Sequence, residues 1–437
     1  MSKLHRAITL PGLTLIVIGS SIGSGIFITP ANTIDLLQNQ WWVLILWAIG
    51  GLVTFLGALT FAELGARFPG AGGVYIYIKE AFGYFPAFLY GWIILFIVNT
   101  GALAALSVAL TDYIQFFFPV SQWKKHLMAT CIIIILTFIN VTGVRTSEFL
   151  AGIFTSIKIL AIIFIIGVGF TMYCTTDQSI EWASVADIPS HLFSLGLLAF
   201  VGVFWSFGGW HHATYLAAET KDPKKTLPKA LLWGTLATTC IYLFVIAAFM
   251  LLVPISEMSA SDRIAGDALN KVFDFGGILV SLFITISIIG TIGIYTMTAP
   301  RIYFAMARDR VFFSWFAKIH SRYKTPANSM IFQSLWAIVL ILLWGTFIRI
   351  ISFVVFMDIL FTAMGTASLF VIRKKYGESS SFKVPFYPWV PVIFLSITFA
   401  FVLNTATQLP VESFAGIVIL LTGIPFYYIF NKSRMLK

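Results

Sequence analysis

Apolar residues in this chain gather into long runs and do not alternate with polar ones. The runs cover residues 8–31, 41–63, 84–111, 124–143, 148–173, 191–218, 228–253, 272–305, 327–345, 348–371, 384–405 and 412–430. Each is near the roughly 20 apolar residues that a helix needs to cross a bilayer. Backbone in hydrocarbon must satisfy its own hydrogen bonds, so runs of this length predict helices. A β-barrel would show segments of about ten residues alternating in polarity. The pattern predicts an all-α membrane protein: twelve transmembrane helices in one transmembrane domain spanning 1–437.

Composition agrees. Of the 437 residues, 59% are apolar and 11% charged, and the mean hydropathy is +0.93. A soluble chain carries roughly 25% charged residues; here lipid must be the solvent for most of the surface. The net charge of +10 raises nucleic acid as a partner. The distribution of the basic residues argues instead for cytoplasmic loops. With the N-terminus cytoplasmic, 22 of the 28 Lys and Arg residues fall on the inside, five on the outside, and Lys158 within a span. That asymmetry predicts both termini in the cytoplasm. Asp177, Glu181, Asp187, Asp262, Asp267 and Asp274 gather on the outer side.

Other classes find no support. Cys131, Cys174 and Cys240 are too scattered for a disulfide framework or a zinc site. The first apolar run lacks a cleavage-site pattern and reads as a retained span. Gly70-Ala71-Gly72-Gly73 is not followed by the Lys-Ser/Thr of a phosphate-cradling loop. The only paired histidines, His211 and His212, are adjacent and point to different helix faces. No enzyme, cofactor or metal is expected; the partners expected are membrane lipid and a small solute.

Chemistry concentrates where the spans are poor helices. Span 1 reads Ile18-Gly19-Ser20-Ser21-Ile22-Gly23-Ser24-Gly25-Ile26-Phe27, and span 6 reads Phe204-Trp205-Ser206-Phe207-Gly208-Gly209-Trp210. Glycine costs a helix roughly 1 kcal/mol against alanine, and serine competes for backbone groups. The interruptions lie 185 residues apart, from Gly23 to Gly208. Paired interruptions point to a midplane binding site in an inverted repeat. Freed N–H groups at a helix start suit a carboxylate, and freed carbonyls suit an ammonium. The alternative is close helix packing through small residues.

Lys158 stands mid-span, and the sixteen residues after it contain no charge. At that depth a charge needs a partner, unless the lysine snorkels from a helix end. Asp358 lies about ten residues into span 10, as a proton site or a structural acceptor. Glu63 and Glu219 close spans 2 and 6, as ionic latches or plain interfacial charges. Trp205 adjoins the span 6 interruption, where a large ring would gate a site or simply pack. His211 and His212 line a cavity or are buried and hydrogen-bonded.

At these residues the chain resembles the amino acid–polyamine–organocation superfamily of transporters, and within it the L-type amino acid transporters. The similarity runs through most of the chain. Gly23-Ser24-Gly25-Ile26-Phe27 resembles the family's span 1 signature. Phe61-Ala62-Glu63-Leu64-Gly65-Ala66-Arg67-Phe68-Pro69-Gly70-Ala71-Gly72-Gly73 is similar to its span 2–3 connection and is the most specific match. Gly208-Gly209-Trp210, Asp222-Pro223 to Leu227-Pro228, and Lys158 match further positions.

The resemblance implies a LeuT-type fold. A 5+5 inverted repeat would comprise residues 8–173 and 191–371, with two extra helices over 384–430. It implies a substrate site at Ser21, Ile22, Gly23, Ser24, Gly25, Trp205, Ser206, Gly208 and His211. Ser24 and Gly25 would contact a carboxylate; the carbonyls of Ser21, Ile22, Trp205 and Gly208 would hold an amine. Lys158 would replace sodium, with Tyr242 nearby; Trp205 would gate, and Asp358 would join the coupling groups. The family's span 6 more often reads F-A-Y-G-G-W-N, so Trp205 and His211 are departures that alter the side-chain pocket.

Animal members join a heavy chain through a cysteine in the span 3–4 loop. Gln115 to Lys125 has none, so no covalently linked heavy chain is expected. The expected activity is sodium-independent exchange of neutral L-amino acids by alternating access, in a bacterial inner membrane. Proton-coupled transport, amine exchange, and a non-transporting sensor or channel stay open as alternatives.

Overall fold

The computed structural model describes residues 4–435, apart from residues 116, 119, 176–183, 185, 186, 189, 190, 262, 344–346, 379 and 380. Asp177, Glu181 and Asp262 of the expected outer acidic set lie outside the described residues, as do Lys3 and Lys437.

The described residues are overwhelmingly helical. In chain order the helices are α1 (Leu10–Ser21), α2 (Gly25–Leu37), α3 (Gln40–Arg67), α4 (Val74–Phe82), α5 (Tyr84–Ile93) and α6 (Asn99–Ile114). Next come α7 (Gln122–Val141), α8 (Val144–Thr175), α9 (Leu192–Phe207), α10 (His212–Tyr215), α11 (Pro223–Leu252), α12 (Ile255–Ser259) and α13 (Ile264–Asn270). The chain ends with α14 (Gly276–Thr298), α15 (Pro300–Arg308), α16 (Ala327–Leu343), α17 (Phe347–Tyr376), α18 (Trp389–Gln408) and α19 (Pro410–Met435).

Among the described residues, nine helices are long and apolar enough to cross a membrane, counting Tyr84–Ile114 and Gly276–Arg308 as single spans. The bent pair α1–α2 makes a tenth; α9 and α16 are shorter apolar helices.

Local chemistry explains the boundaries. Asn39 caps α3, its Oδ1 accepting from the N–H groups of Trp41 (2.9 Å) and Trp42 (3.4 Å). Helix α18 starts at Trp389 and not near residue 384, because Pro385 and Pro388 cannot donate to a helix and Phe386 is left-handed at φ 50°. Pro300 likewise interrupts the run expected at 272–305, separating α14 from α15. The loop expected between spans 7 and 8 contains α12 and α13, which pack on α2.

A five-residue π-helical segment, Ile94–Val98, joins α5 to α6. Its loosened carbonyls find side-chain donors: Thr100 Oγ1 to Leu95 O at 2.7 Å, and Trp336 Nε1 to Phe96 O at 3.2 Å.

Helices α1, α3, α6, α8, α9, α11 and α14 form the centre of the bundle, with α3 lying along α11 and α8 along α14. Small residues allow the close approach. A β-carbon on Gly51 would lie 2.2 Å from Thr239 Cγ2, and one on Gly234 2.5 Å from Val17 Cγ1. In Tyr84–Ile114, 89% of the apolar window is buried; in Pro410–Lys432, only 17% is. The outermost helix therefore presents its residues to lipid.

Connections meet at the two ends of the bundle. At one end, Arg67 donates to Gly377 O at 2.7 Å and Lys79 pairs with Asp309 at 2.9 Å. At the other, Asn39 Nδ2 donates to Asp187 O at 3.2 Å and Lys271 pairs with Glu257 at 2.8 Å. Each pair joins segments that the charge count puts on the same side.

Glu63 and Glu219 are buried, ion-paired groups, not free interfacial charges. Both are fully buried. Glu63 accepts from Arg373 Nε (2.8 Å), Arg373 Nη2 (2.5 Å) and Val384 N (2.7 Å). Glu219 accepts from Arg301 Nε (2.7 Å) and Nη2 (2.9 Å), and Arg301 also donates to Met297 O. The Glu219 carbonyl accepts from Ala7 and Ile8 N–H at 2.9 and 3.0 Å, while Ile8 O accepts from Lys221 N at 2.9 Å. The start of the chain is thereby bound to the segment after α10.

Removing one member of such a pair strands the other. Arg301→Met should lower the stability of detergent-purified protein by about 3–5 kcal/mol, read as a large fall in thermal unfolding temperature. The double variant Arg301→Met/Glu219→Leu should recover most of the loss.

Candidate functional site

The two glycine-serine interruptions are real breaks, and they face each other. Helix α1 stops at Ser21, Ile22 to Ser24 are non-helical, and α2 leaves at 41° to α1. Helix α9 stops at Phe207, and the chain resumes as the four-residue α10 followed by a 3-10 turn, Ala217–Glu219. Gly209 requires glycine: its φ is +85°, and a β-carbon would lie 2.8 Å from Ser20 O and 2.7 Å from the Tyr295 hydroxyl.

Side chains tie one break to the other. Ser20 Oγ donates to Gly209 O at 2.9 Å and Ser21 Oγ to Phe207 O at 3.3 Å. The Tyr242 hydroxyl lies 2.9 Å from Ser21 O and 2.8 Å from Ser206 O. Ser206 Oγ sits 2.8 Å from Thr29 Oγ1 and donates to Gly202 O. A β-carbon on Gly25 would lie 2.8 Å from Ser206 Cα. Gly25 is thus a packing contact as well as a helix start, so the alternative of packing through small residues describes part of this region too.

Lys158, 1% exposed on α8, does not snorkel. Its Nζ donates to Gly19 O (3.1 Å), Ile22 O (2.6 Å) and Thr291 Oγ1 (2.9 Å), which uses all three ammonium donors. Thr291 Oγ1 also lies 3.1 Å from both carbonyls, and Ser287 Oγ reaches Ile22 O at 3.4 Å. The carbonyls released where α1 unwinds are therefore held by a fixed cation and two hydroxyls.

Ser24 Oγ, fully buried at the start of α2, has no hydrogen-bond partner among the described residues. The first N–H groups of any helix lack intrahelical partners and carry the positive end of its dipole. Ser24 and the start of α2 together form a donor set suited to an anion.

Two narrow clefts adjoin the α9–α10 break. One is lined by Val98, Trp205, His212 and Tyr295, the other by Thr54, Phe207, Trp210 and Thr362; both are lined by Phe204, Gly208, His211, Asp358 and Ile359. Asp358 Oδ1 lies 3.6 Å from His211 Nε2 and accepts no hydrogen bond among the described residues. His212 Nδ1 is 2.8 Å from Thr298 Oγ1.

The residues expected at the site thus gather around the two breaks. Ser21, Ile22, Gly23, Ser24 and Gly25 form one side; Trp205, Ser206, Gly208 and His211 form the other. Lys158 and Tyr242 brace them from behind, and Asp358 faces His211. Three of the carbonyls expected to hold an amine already accept hydrogen bonds: Ser21 from Tyr242, Ile22 from Lys158, and Trp205 from Gly208 N at 3.2 Å. Ser206 Oγ is turned toward Thr29, and Ser206 lines neither of the two clefts. Sequence reading missed Thr291, Ser287 and Tyr295. Thr291 in Gly290-Thr291-Ile292-Gly293 carried a signal, a small polar group between glycines in mid-span.

Comparison with known proteins points the same way. The chain is 28% identical over 436 residues to a serine/threonine exchanger of Bacillus subtilis (strain 168), covering 99% of this chain and 98% of that protein. It is 29% identical to the large neutral amino acids transporter small subunit 2 of Homo sapiens, covering 98% of this chain and 80% of the relative. The Asc-type amino acid transporter 1 of Mus musculus is also 29% identical, with 98% and 81% covered. These relatives are amino acid transporters. Residues 8–429 match a family described as amino acid permease, and the chain belongs to that family, within the amino acid–polyamine–organocation superfamily.

Proposed function

We propose that this permease exchanges neutral L-amino acids across a bacterial inner membrane, without sodium, by alternating access. Twelve spans are arranged as a 5+5 inverted repeat over residues 8–173 and 191–371, plus two helices over 384–430. Both termini are cytoplasmic, and no heavy chain is covalently attached. The serine/threonine exchanger and the large neutral amino acids transporter among its relatives support the substrate class.

The observation that carries the reading is Lys158. Its ammonium occupies the carbonyl and hydroxyl cage between α1, α8 and α14 and leaves no vacancy there for a metal cation. A charge fixed to the protein does not cross with the substrate, so no sodium gradient drives uptake through this position. The substrate itself then resets the carrier, which is exchange. Its carboxylate docks on Ser24 Oγ and the start of α2, and its ammonium on carbonyls of the α9–α10 break. The zwitterion joins the two broken helices. Glu219–Arg301 and Glu63–Arg373 close the cytoplasmic end.

A second reading is favoured by one observation. Asp358, a carboxyl in mid-helix without a hydrogen-bond donor among the described residues, fits a proton carrier. Proteoliposomes separate the two. Exchange requires that labelled threonine or leucine enter only vesicles preloaded with amino acid, at equal rates in sodium and choline buffers. Accumulation in empty vesicles under an imposed proton gradient overturns exchange.

Lys158→Ala should cut exchange at least about tenfold, since each lost charge-assisted hydrogen bond is worth roughly 1.5–3 kcal/mol. Unchanged flux in that variant would make the lysine purely structural. Trp205→Ala should change turnover more than affinity for the amino acid backbone, measured as initial rate against competitor binding. An unaltered rate removes the ring as a gate.

A further inference from the structure

Asp358 and His211 face each other across a gap that a hydrogen bond does not close. Oδ1 and Nε2 are 3.6 Å apart, beyond hydrogen-bonding distance. The carboxylate accepts from no other described group, although a carboxylate in mid-membrane needs donors. The imidazole is 2% exposed and walled by Trp210, His212 and Tyr215, at ring distances of 5.5, 5.1 and 5.6 Å. Both groups line both clefts beside the break, together with Gly208, whose backbone belongs to the proposed amine site.

We infer that this pair reads the substrate's side chain and selects a small amino acid bearing a hydroxyl. The inference rests on the proposed amino acid site and narrows its substrate class. An imidazole nitrogen facing a carboxylate oxygen carries its proton, so the gap has a donor on one side and an acceptor on the other. A hydroxyl is the group that donates and accepts through one atom. It gives its proton to Asp358 and receives one from His211. An ammonium has only donors and faces the imidazole N–H unfavourably. A methyl group leaves both polar groups unpaired. Sites built to bind a hydroxyl reject the analogue lacking it for that reason. Phe204 narrows both clefts and Trp205 one of them, which restricts the side chain to a short one.

Threonine and valine have nearly the same shape and differ in one hydroxyl, so they isolate the effect. Competition binding on purified protein should favour threonine over valine by at least about tenfold. The ratio should fall to near one in Asp358→Leu. Being internal to each preparation, it does not depend on the fraction of active protein. Should Asp358→Leu not fold, His211→Phe should show the same collapse.

Equal affinities in the unaltered protein overturn the inference, as does a preference that survives either substitution in folded protein. So does a variant in which proton-driven uptake is lost while the ratio stands, which would make Asp358 a proton carrier. In the first two outcomes amino acids still bind and the proposed function stands; in the third, exchange falls together with the inference. If neither threonine, valine nor leucine binds, the proposed function itself fails.

Discussion

A helix cannot be unwound in hydrocarbon unless the freed carbonyls find donors. Lys158 meets that condition for α1. Its ammonium joins Gly19 O and Ile22 O of the first break to Thr291 of α14, while Tyr242 from α11 reaches the carbonyls of both breaks. Four central helices thus meet at one polar point, and the rest of the bundle packs around it. The same arrangement leaves the buried hydroxyl of Ser24, at the start of α2, without a partner among the described residues. In the proposed function, structural support and ligand recognition are divided between the two ends of one broken helix.

Much of this was legible in the sequence, because in lipid the length of an apolar run translates almost directly into a helix. The interruptions were legible for a related reason: Gly23, Gly25, Gly208 and Gly209 have no ordinary place in mid-helix. Boundaries were less so. Helix α2 runs to Leu37, past the run ending near residue 31, since backbone hydrogen bonding continues where the polarity changes. The short helices α12 and α13 are held by tertiary contact with α2 and α14 and are too short for their apolar spacing to stand out as a span.

Partners were the least legible part. The sequence showed that Lys158 must have some, but Thr291 is 133 residues away. For Glu63 and Glu219 the sequence left latch and interfacial charge open, because it shows no partner for either. Their burial depends on Arg373, 310 residues from Glu63, and Arg301, 82 residues from Glu219. The 3.6 Å opposition of Asp358 and His211 likewise exists only after α17 packs beside the second break. Long-range pairing of single polar groups leaves no periodic trace in a chain.

The π-helical segment at Ile94–Val98 has a geometric consequence of its own. One extra residue in the turn offsets the angular phase of everything beyond it relative to everything before. Ahead of it, Phe88 and Trp92 point to the bundle's periphery, where they stack near Tyr427 and Phe426 of α19. Beyond it, Val98 and Ala102 point to the cleft that holds Asp358. A single span thereby serves two masters, its entry half keyed to the last helix and its exit half to the interior. Deleting one residue there would restore a uniform screw and force one half out of phase with its neighbours.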